Sequence, residues 1–241
     1  MSLGYVPFGF IDAGGKPAGF DVELANALAE LLGAKVDIAA IPFPAQIPAL
    51  ASGRVKVAWS TFSVTDERLK QVDFVQYLKA GSVAIVLPKN AERFSKQNSL
   101  CGATVAVAQG SSGDFVLDKL NAECSAASLK PIKKAIYPDQ RQNIQAAQTG
   151  RVDVWLDDST VAGNFQKTSN NSLVVTGPNY YPLPLAIAVA KGDKETAEML
   201  RAGLQTLIDN GTYKKLLTNY NLQDSAITKS EIFTSPEQLA H

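Results

Sequence analysis

A twelve-residue pattern occurs twice in the chain, and this repeat restricts the possible folds more than any other feature. Residues 46–57 (QIPALASGRVKV) and 143–154 (NIQAAQTGRVDV) are identical at six of twelve positions. Each copy has the features of a helix that ends at a glycine and leads into a strand, because glycine readily takes the left-handed conformation after a helix. Any αβ unit can converge on this pattern. The copies lie near the middle of two similar stretches, however, which favours two lobes of the same design.

Helical and strand patterns alternate along the rest of the sequence. Apolar residues from Phe20 to Leu32 recur at helical spacing, with Gly33 just beyond. Strands are predicted at residues 35–41, 55–59, 82–87, 104–108, 152–156 and 185–190. Helices are predicted at residues 111–121, 138–149, 159–167 and 194–210, with a further turn or two over 211–220 and a helical stretch ending at Gly53. The alternation predicts an α/β protein with a mostly parallel sheet and helices on both faces.

Composition limits the possible partners. Lys plus Arg and Asp plus Glu both number 23 among 241 residues, so there is no basic excess to neutralise nucleic acid or an anionic membrane. No apolar run approaches the roughly 20 residues that span a bilayer, and the N-terminus lacks the regions of a signal peptide. Because Met1-Ser2-Leu3 leads abruptly into Gly4-Tyr5, we expect a natural export signal to be missing from this sequence.

The only cysteines are Cys101 and Cys124, and the single histidine is His241. The cysteines could form a disulfide that closes a modest loop, or remain two buried thiols. Neither a CxxC motif nor a nearby histidine indicates a metal or redox site, which favours the disulfide.

Polar residues follow both repeated strands. They are Ser60-Thr61-Phe62-Ser63 after the first and Asp157-Asp158-Ser159 after the second. In open α/β sheets, ligands bind at the carboxyl ends of strands. Two lobes with these ends facing each other would form a ligand cleft.

Arg68 is the cation that we expect to bind a ligand carboxylate. Its planar fork can pair with both oxygens, while Ser60 and Ser63 supply hydroxyl or backbone donors. Thr65 is a candidate N-cap just before it. The alternative is a solvated surface arginine beside an ordinary turn.

Two further segments offer complementary groups. The segment Gln109–Asp114 follows the predicted strand 104–108 and opens a helix, where free N–H groups favour a carboxylate. A simple cap by Ser111 is also possible, and both can hold. The segment matches no nucleotide-binding motif. One carboxylate of Asp157 and Asp158 could hold an ammonium group, whereas catalysis or metal binding lacks a partner His, Cys or acidic cluster.

Several aromatic residues lie in predicted loops, where a large ring needs a reason beyond filling the core. We expect ligand stacking for Tyr5 and Phe43 and ordinary packing for Phe8. Trp59 and Trp155 lie within the repeated strands and are predicted to be core residues.

A set of short motifs runs in a fixed order along the chain: Tyr5-Val6-Pro7-Phe8, Gly19-Phe20-Asp21-Val22-Glu23-Leu24-Ala25, Ile47-Pro48-Ala49-Leu50, Ser52-Gly53-Arg54-Val55, Ser63-Val64-Thr65-Asp66-Glu67-Arg68, Val72-Asp73-Phe74 and Gly150-Arg151-Val152-Asp153. With these motifs the sequence resembles, almost end to end, the polar amino-acid binding proteins of ABC transporters, family 3 of the bacterial extracellular solute-binding proteins.

The resemblance implies a type II periplasmic-binding-protein fold with two doubly wound α/β lobes. One lobe would comprise residues 1–80 and 193–241, and the other residues 82–191, with crossing segments near Leu78–Gly81 and Lys191–Asp193. It also implies a periplasmic monomer that serves a membrane permease and binds a small zwitterion without cofactor, metal or catalysis. Export favours the Cys101–Cys124 disulfide.

The resemblance also implies a role for each site residue. Arg68 matches the arginine that binds the α-carboxylate, helped by Ser63, Thr61 and the loop at Ser111 and Ser112. Asp158 matches the acid that takes the α-ammonium. Tyr5 and Phe43 match rings that sandwich the ligand side chain, with Ser60 as a neighbouring polar contact.

Because the sequence departs from the family pattern at several positions, the resemblance does not identify the ligand. The strand that normally precedes Tyr5 is nearly absent, Gly9 is small where relatives often carry a polar residue, and Pro42 and Pro44 flank Phe43. The tail after Leu222 exceeds a minimal member of the family. A cyclohexadienyl-dehydratase-like enzyme acting on prephenate-like acids, and the sensing domain of a receptor, are the alternative functions.

Overall fold

The structure, a computed structural model, describes residues 1–239; Ala240 and His241 lie outside the described residues. The strands are β1 (Phe10–Ile11), β2 (Pro17–Ala18), β3 (Val57–Ser63), β4 (Val72–Val86), β5 (Thr104–Ala108), β6 (Lys133–Tyr137), β7 (Val154–Asp158), β8 (Val174–Ala190) and β9 (Ile232–Phe233). The helices are α1 (Phe20–Leu31), α2 (Gln46–Ala51), α3 (Asp66–Leu69), α4 (Ser112–Ala126), α5 (Gln140–Gln148), α6 (Ser159–Thr168), α7 (Lys194–Asp209) and α8 (Thr212–Tyr220).

The described residues divide into two compact units. Unit 1 comprises Met1–Lys79 together with the chain from Leu183 onward, and unit 2 comprises Ala80–Pro182. The chain passes between them inside β4 and inside β8. The first passage lies between Lys79 and Ala80, and the second lies between Pro182 and Leu183.

Unit 1 is built from two separate stretches of sequence. Strand β3 pairs antiparallel with the second half of β8, and the first half of β4 pairs antiparallel with β9. Helices α1, α7 and α8 pack against one another. The core beneath the strands consists of buried apolar residues from both stretches: Leu50, Ala58, Phe62, Val64, Leu69, Val72, Phe74, Ala186, Ala188, Phe233 and Leu239.

Unit 2 is a continuous stretch of sequence. Strand β5 lies parallel to both β6 and β7, while the second half of β4 is antiparallel to β7. The predicted mostly parallel sheet is therefore wrong, because the two long crossing strands form antiparallel pairs in the described part of the chain. Cys101 and Cys124 form a disulfide that joins the segment before β5 to α4, as predicted.

The repeated pattern folds alike in both units. In each copy a helix, α2 or α5, ends before a glycine whose φ is +70°, and a strand, β3 or β7, follows. Gly53 donates its N–H to Leu50 O at 3.0 Å, and Gly150 donates to Ala147 O at 3.1 Å. The predicted succession of helix, glycine and strand is confirmed at both positions.

The strand predicted at residues 35–41 is wrong. Its sequence alternates as a strand does, but residues 35–41 form no strand in the described structure and are largely exposed. Its end is fixed by two bonds to the N-terminus, from the Met1 ammonium to Ala39 O (2.9 Å) and from Ile41 N–H to Met1 O (3.0 Å). This segment and the start of β3 both contribute residues to the lining of a cavity of about 510 Å³.

Candidate functional site

Arg68 of unit 1 is a buried cation, not a solvated surface residue. Thr65 caps helix α3, and its hydroxyl accepts the Arg68 N–H at 3.3 Å. The Arg68 side chain then turns inward, is 5% exposed, and donates from Nη1 to Ser63 O at 2.8 Å. A charge this deeply buried requires fixed polar partners. The short helix therefore holds the guanidinium at the carboxyl end of β3.

Two aromatic rings cover this guanidinium. The rings of Phe43 and Phe62 stack with centroids 4.8 Å apart, and Arg68 Cζ lies 5.5 Å from each centroid. Contact with a ring face stabilises a cation further when water is excluded. Phe43 is only partly buried, so part of its ring is exposed. Phe43 and Arg68 thus belong to one cluster in unit 1.

The carboxyl end of β3 contains a bulge. Ala58 pairs with Ala188 and Phe62 pairs with Ala186, so three residues of β3 lie opposite a single residue of β8. Within the bulge Thr61 has a φ of +48°, a region that β-branched residues rarely occupy. Bulges of this kind reorient side chains near functional sites.

The two serines near the bulge take part in the fold in different ways. Ser60 Oγ donates to Trp59 O (2.5 Å) and accepts from Ser2 N–H (2.8 Å) and Gln46 Nε2 (3.0 Å). Its hydroxyl donor is therefore used internally, which leaves the main chain as its route to a ligand. Ser63 is buried and gives its carbonyl to Arg68.

Tyr5 lies in a short loop that closes the N-terminal end of α1. The Tyr5 ring stacks on Phe8 with centroids 5.7 Å apart. The carbonyls of Pro7 and Phe8 accept the first free N–H groups of α1, from Phe20 and Asp21, each at 3.0 Å. Gly19 is required at the junction, because a Cβ there would lie 2.3 Å from Phe8 O.

In unit 2 the structure brings Ser112 and Asp158 together. Ser111 caps α4 by accepting the Asp114 N–H at 3.3 Å, and Ser112 Oγ in the first turn donates to Asp158 Oδ1 at 2.7 Å. Both members of this pair are at least nine-tenths buried. A carboxylate therefore lies at the N-terminal end of α4.

Asp157 has a structural role instead. Its carboxylate accepts from Trp155 Nε1 at 3.1 Å and from the Asp158 N–H at 2.8 Å. Both bonds are internal to β7, where Asp157 is 6% exposed. Asp158, by contrast, is bonded to the start of α4.

Sequence reasoning missed a buried acid in unit 1. The sequence alone presents Asp21 as no more than a favourable charge at a helix start, yet it is 1% exposed and accepts a 2.8 Å bond from Tyr77 Oη. Burial raises the pKa of Asp21 to about 7, although the bond from Tyr77, the Met1 ammonium and the Trp59 indole each act in the opposite direction. The sequence did contain a signal for this burial, because Asp21 follows Phe20 and lies on the apolar face of α1.

Other features of the described residues lie apart from these groups. The 510 Å³ cavity is lined by none of the predicted site residues. Within residues 1–239 there is no cluster of three side chains suited to a metal ion, and no helix of that range is both long and apolar enough to cross a bilayer.

Comparisons with known proteins identify the family of this chain. The sequence model of the bacterial extracellular solute-binding proteins, family 3, matches residues 1–223. The chain is 28% identical to a probable histidine-binding protein of Neisseria gonorrhoeae over 218 residues, which covers 90% of this chain and 79% of that protein. It is 29% identical to an L-arginine-binding protein of Pseudomonas aeruginosa over 227 residues, covering 91% and 85%.

Solved structures give the same result. An ancestral arginine-binding protein bound to arginine matches with a TM-score of 0.82 and 32% identity, covering 91% of this chain and 95% of that one. An ancestral amino acid-binding protein described as a precursor of cyclohexadienyl dehydratase also has a TM-score of 0.82, with 30% identity and coverages of 91% and 92%. The chain therefore belongs to family 3 of the bacterial extracellular solute-binding proteins and has the type II periplasmic-binding-protein fold.

Proposed function

We propose that this protein is the extracytoplasmic substrate-binding component of an ABC uptake transporter, and that its ligand is an α-amino acid or a close derivative. The observation that carries the proposal is the buried Arg68 guanidinium, held beneath Phe43 and Phe62 at the end of β3. A buried arginine fork suits a carboxylate, which it can bind with two parallel hydrogen bonds.

The predicted site residues take complementary roles toward a zwitterion in this proposal. Arg68, Ser63 and Thr61 of unit 1 bind the α-carboxylate, and the main chain of Ser60 adds a polar contact. In unit 2, Asp158 binds the α-ammonium, while Ser112 offers its main-chain N–H and Ser111 its hydroxyl at the start of α4, because the Ser111 N–H already donates to Ala108 O at 3.1 Å. The Ser112–Asp158 bond of 2.7 Å supports this role, because it fixes the orientation of the carboxylate.

Tyr5 and Phe43 flank the ligand side chain in the proposed complex. Their partly exposed rings offer apolar faces without demanding one functional group. The relatives' names include histidine-, arginine- and cystine-binding proteins, so the side chain is the variable part of the ligand. No described feature favours the dehydratase-like enzyme or the receptor domain.

Transport follows from ligand-dependent closure. We propose that units 1 and 2 are the two lobes of the family fold and that the protein closes around its ligand and traps it. A membrane permease recognises the closed form. The protein acts as a periplasmic monomer.

The experiment is a thermal-shift screen with amino acids, opines and small carboxylates. A ligand at about 100 times its Kd raises the melting temperature by about 5–10 °C, because it binds only the native state. Arg68→Ala abolishes the shift. Arg93→Ala is the matched control, since Arg93 also lies over a phenylalanine ring but its side chain is 58% exposed. An equal shift in both variants, or no shift with any compound in the wild-type protein, would contradict the proposal.

A further inference from the structure

A chain of buried hydrogen bonds runs beneath the bulge of β3. The Thr61 N–H donates to Tyr77 Oη at 3.1 Å, and Tyr77 Oη donates to Asp21 Oδ1 at 2.8 Å. Tyr77 is fully buried, and Asp21 is 1% exposed. The chain connects three elements of unit 1, namely β3, β4 and α1. None of the site roles described above includes Tyr77 or Asp21.

The Thr61 backbone needs such a support. A threonine at φ +48° is strained, because its branched Cβ crowds the main chain in the left-handed region. Strained residues persist only where the surroundings fix them. The bulge also removes regular pairing with β8 between Ala58 and Phe62. The Tyr77 hydroxyl is the partner that satisfies the Thr61 amide in place of a strand neighbour.

The Tyr77 ring is itself held rigidly. It stacks on Phe20 with centroids 6.3 Å apart and meets the edge of Trp59 at 5.5 Å. Asp21 completes the arrangement, because its own N–H donates to Phe8 O in the loop that carries Tyr5. The same small network therefore supports the bulge and the Tyr5 loop.

We propose that Tyr77 is a positioning residue for ligand binding: its hydroxyl, oriented by Asp21, holds Thr61 in the left-handed conformation that directs the bulge toward the ligand carboxylate. This inference rests on the proposed function, since Thr61 is taken there as a carboxylate contact. It assigns to Tyr77 a role beyond filling the core. Loss of the hydroxyl alone should disturb the ligand site and leave the apolar packing in place.

The test compares two tyrosine-to-phenylalanine variants. Tyr77→Phe removes the hydroxyl that bonds Thr61, whereas Tyr213→Phe removes the hydroxyl of another buried tyrosine, which bonds the carbonyl of Tyr77 and the N–H of Ile227. Calorimetry with arginine as the probe should show at least about a ten-fold loss of affinity for the first variant and less than about two-fold for the second. Equal losses in the two variants would overturn the proposal.

Amide hydrogen exchange of the ligand-free protein provides a second readout. The Thr61 amide should be protected in the wild-type protein and in Tyr213→Phe, and should exchange at least about ten times faster in Tyr77→Phe. An unprotected Thr61 amide in the wild-type protein overturns the proposal by itself. If the wild-type protein binds no amino acid, the proposed function fails, but this measurement still decides whether Tyr77 holds Thr61.

A double-mutant cycle tests whether Tyr77 affects ligand binding through Thr61. Thr61→Gly relieves the strain, because glycine takes positive φ without cost. In the Thr61→Gly background, Tyr77→Phe should change the arginine affinity by less than about two-fold. The same background keeps the comparison available if Tyr77→Phe alone does not fold. A persistent ten-fold loss there would show that Tyr77 acts by another route.

Discussion

At the scale of single residues, the site consists of charges that the fold has already buried. Arg68 and Asp158 are 5% and 4% exposed, and each is fixed by a short hydrogen bond within its own unit. Because these side chains are already fixed before the ligand binds, binding costs less side-chain conformational entropy. Their opposite charges explain why an α-amino acid, with a carboxylate and an ammonium on one carbon, is the expected ligand.

Asp158→Asn should reveal which end of the ligand Asp158 binds. Asparagine keeps an oxygen that can accept from Ser112 but removes the charge, so the affinity for arginine should fall at least about 30-fold. An arginine analogue without the α-ammonium should bind the variant and the wild-type protein equally weakly. Calorimetry measures all four values. A similar loss for both ligands would show that Asp158 does not bind the ammonium.

Asp21 predicts a pH dependence of stability. The folded protein keeps a proton on Asp21 up to about pH 7, whereas an unfolded aspartate loses it near pH 4. The folded state therefore binds more protons in that window, and its stability decreases as the pH rises from about 4 to 7. Between pH 5 and pH 8, Asp21→Asn should gain about 2–3 kcal/mol relative to the wild-type protein in urea unfolding. Parallel pH curves for the two proteins would contradict the assignment.

At the scale of secondary-structure elements, the repeated succession of helix, glycine and strand allows the same substitution to be compared at two positions. Gly53 and Gly150 share a φ of +70°, and a Cβ added at either position would have no neighbouring atom within 4 Å, so only backbone strain opposes a side chain. Alanine at either position should cost about 1 kcal/mol, with similar values for the two sites. Urea unfolding measures both. A large difference would mean that the copies are alike in sequence only.

Local patterns predicted most helices and the repeat, because capping and apolar spacing are properties of neighbouring residues. They failed for residues 35–41, where alternation predicts a strand but no strand lies beside the segment. Strand β6 and the first half of β4 were not predicted. Their pairing is decided by β5 and β9, which are distant in sequence.

Only part of the candidate site could be predicted from the sequence. Arg68, Ser112 and Asp158 follow from motifs and from the rule for strand ends. The bulge at Thr61 and the bond from Tyr77 to Asp21 do not, because they depend on residues up to 56 positions apart. Ser60 shows the same limit, since its hydroxyl is occupied by Ser2 and Gln46, which no local pattern connects with it.

At the scale of the whole molecule, each unit has a core of its own and one tryptophan. Trp59 lies in unit 1 and Trp155 in unit 2, and the disulfide belongs to unit 2 alone. In single-tryptophan variants, reduction of the disulfide should lower the free energy of unfolding that Trp155 fluorescence reports. The expected loss is about 3 kcal/mol, the chain-entropy estimate for a loop of this length. The urea transition reported by Trp59 should stay in place. Equal shifts would show that the units unfold as one.

The division of unit 1 into two stretches of sequence has a consequence for biosynthesis. Strand β3 pairs with residues 185–189 of β8, and the core of unit 1 includes Phe233 and Leu239. A nascent chain therefore cannot complete unit 1 until Leu239 has emerged from the ribosome. Unit 2, a continuous stretch, has all of its partners much earlier. The usual order of synthesis, in which the N-terminal unit matures first, is reversed in this protein, so its first 79 residues await their partners for longest.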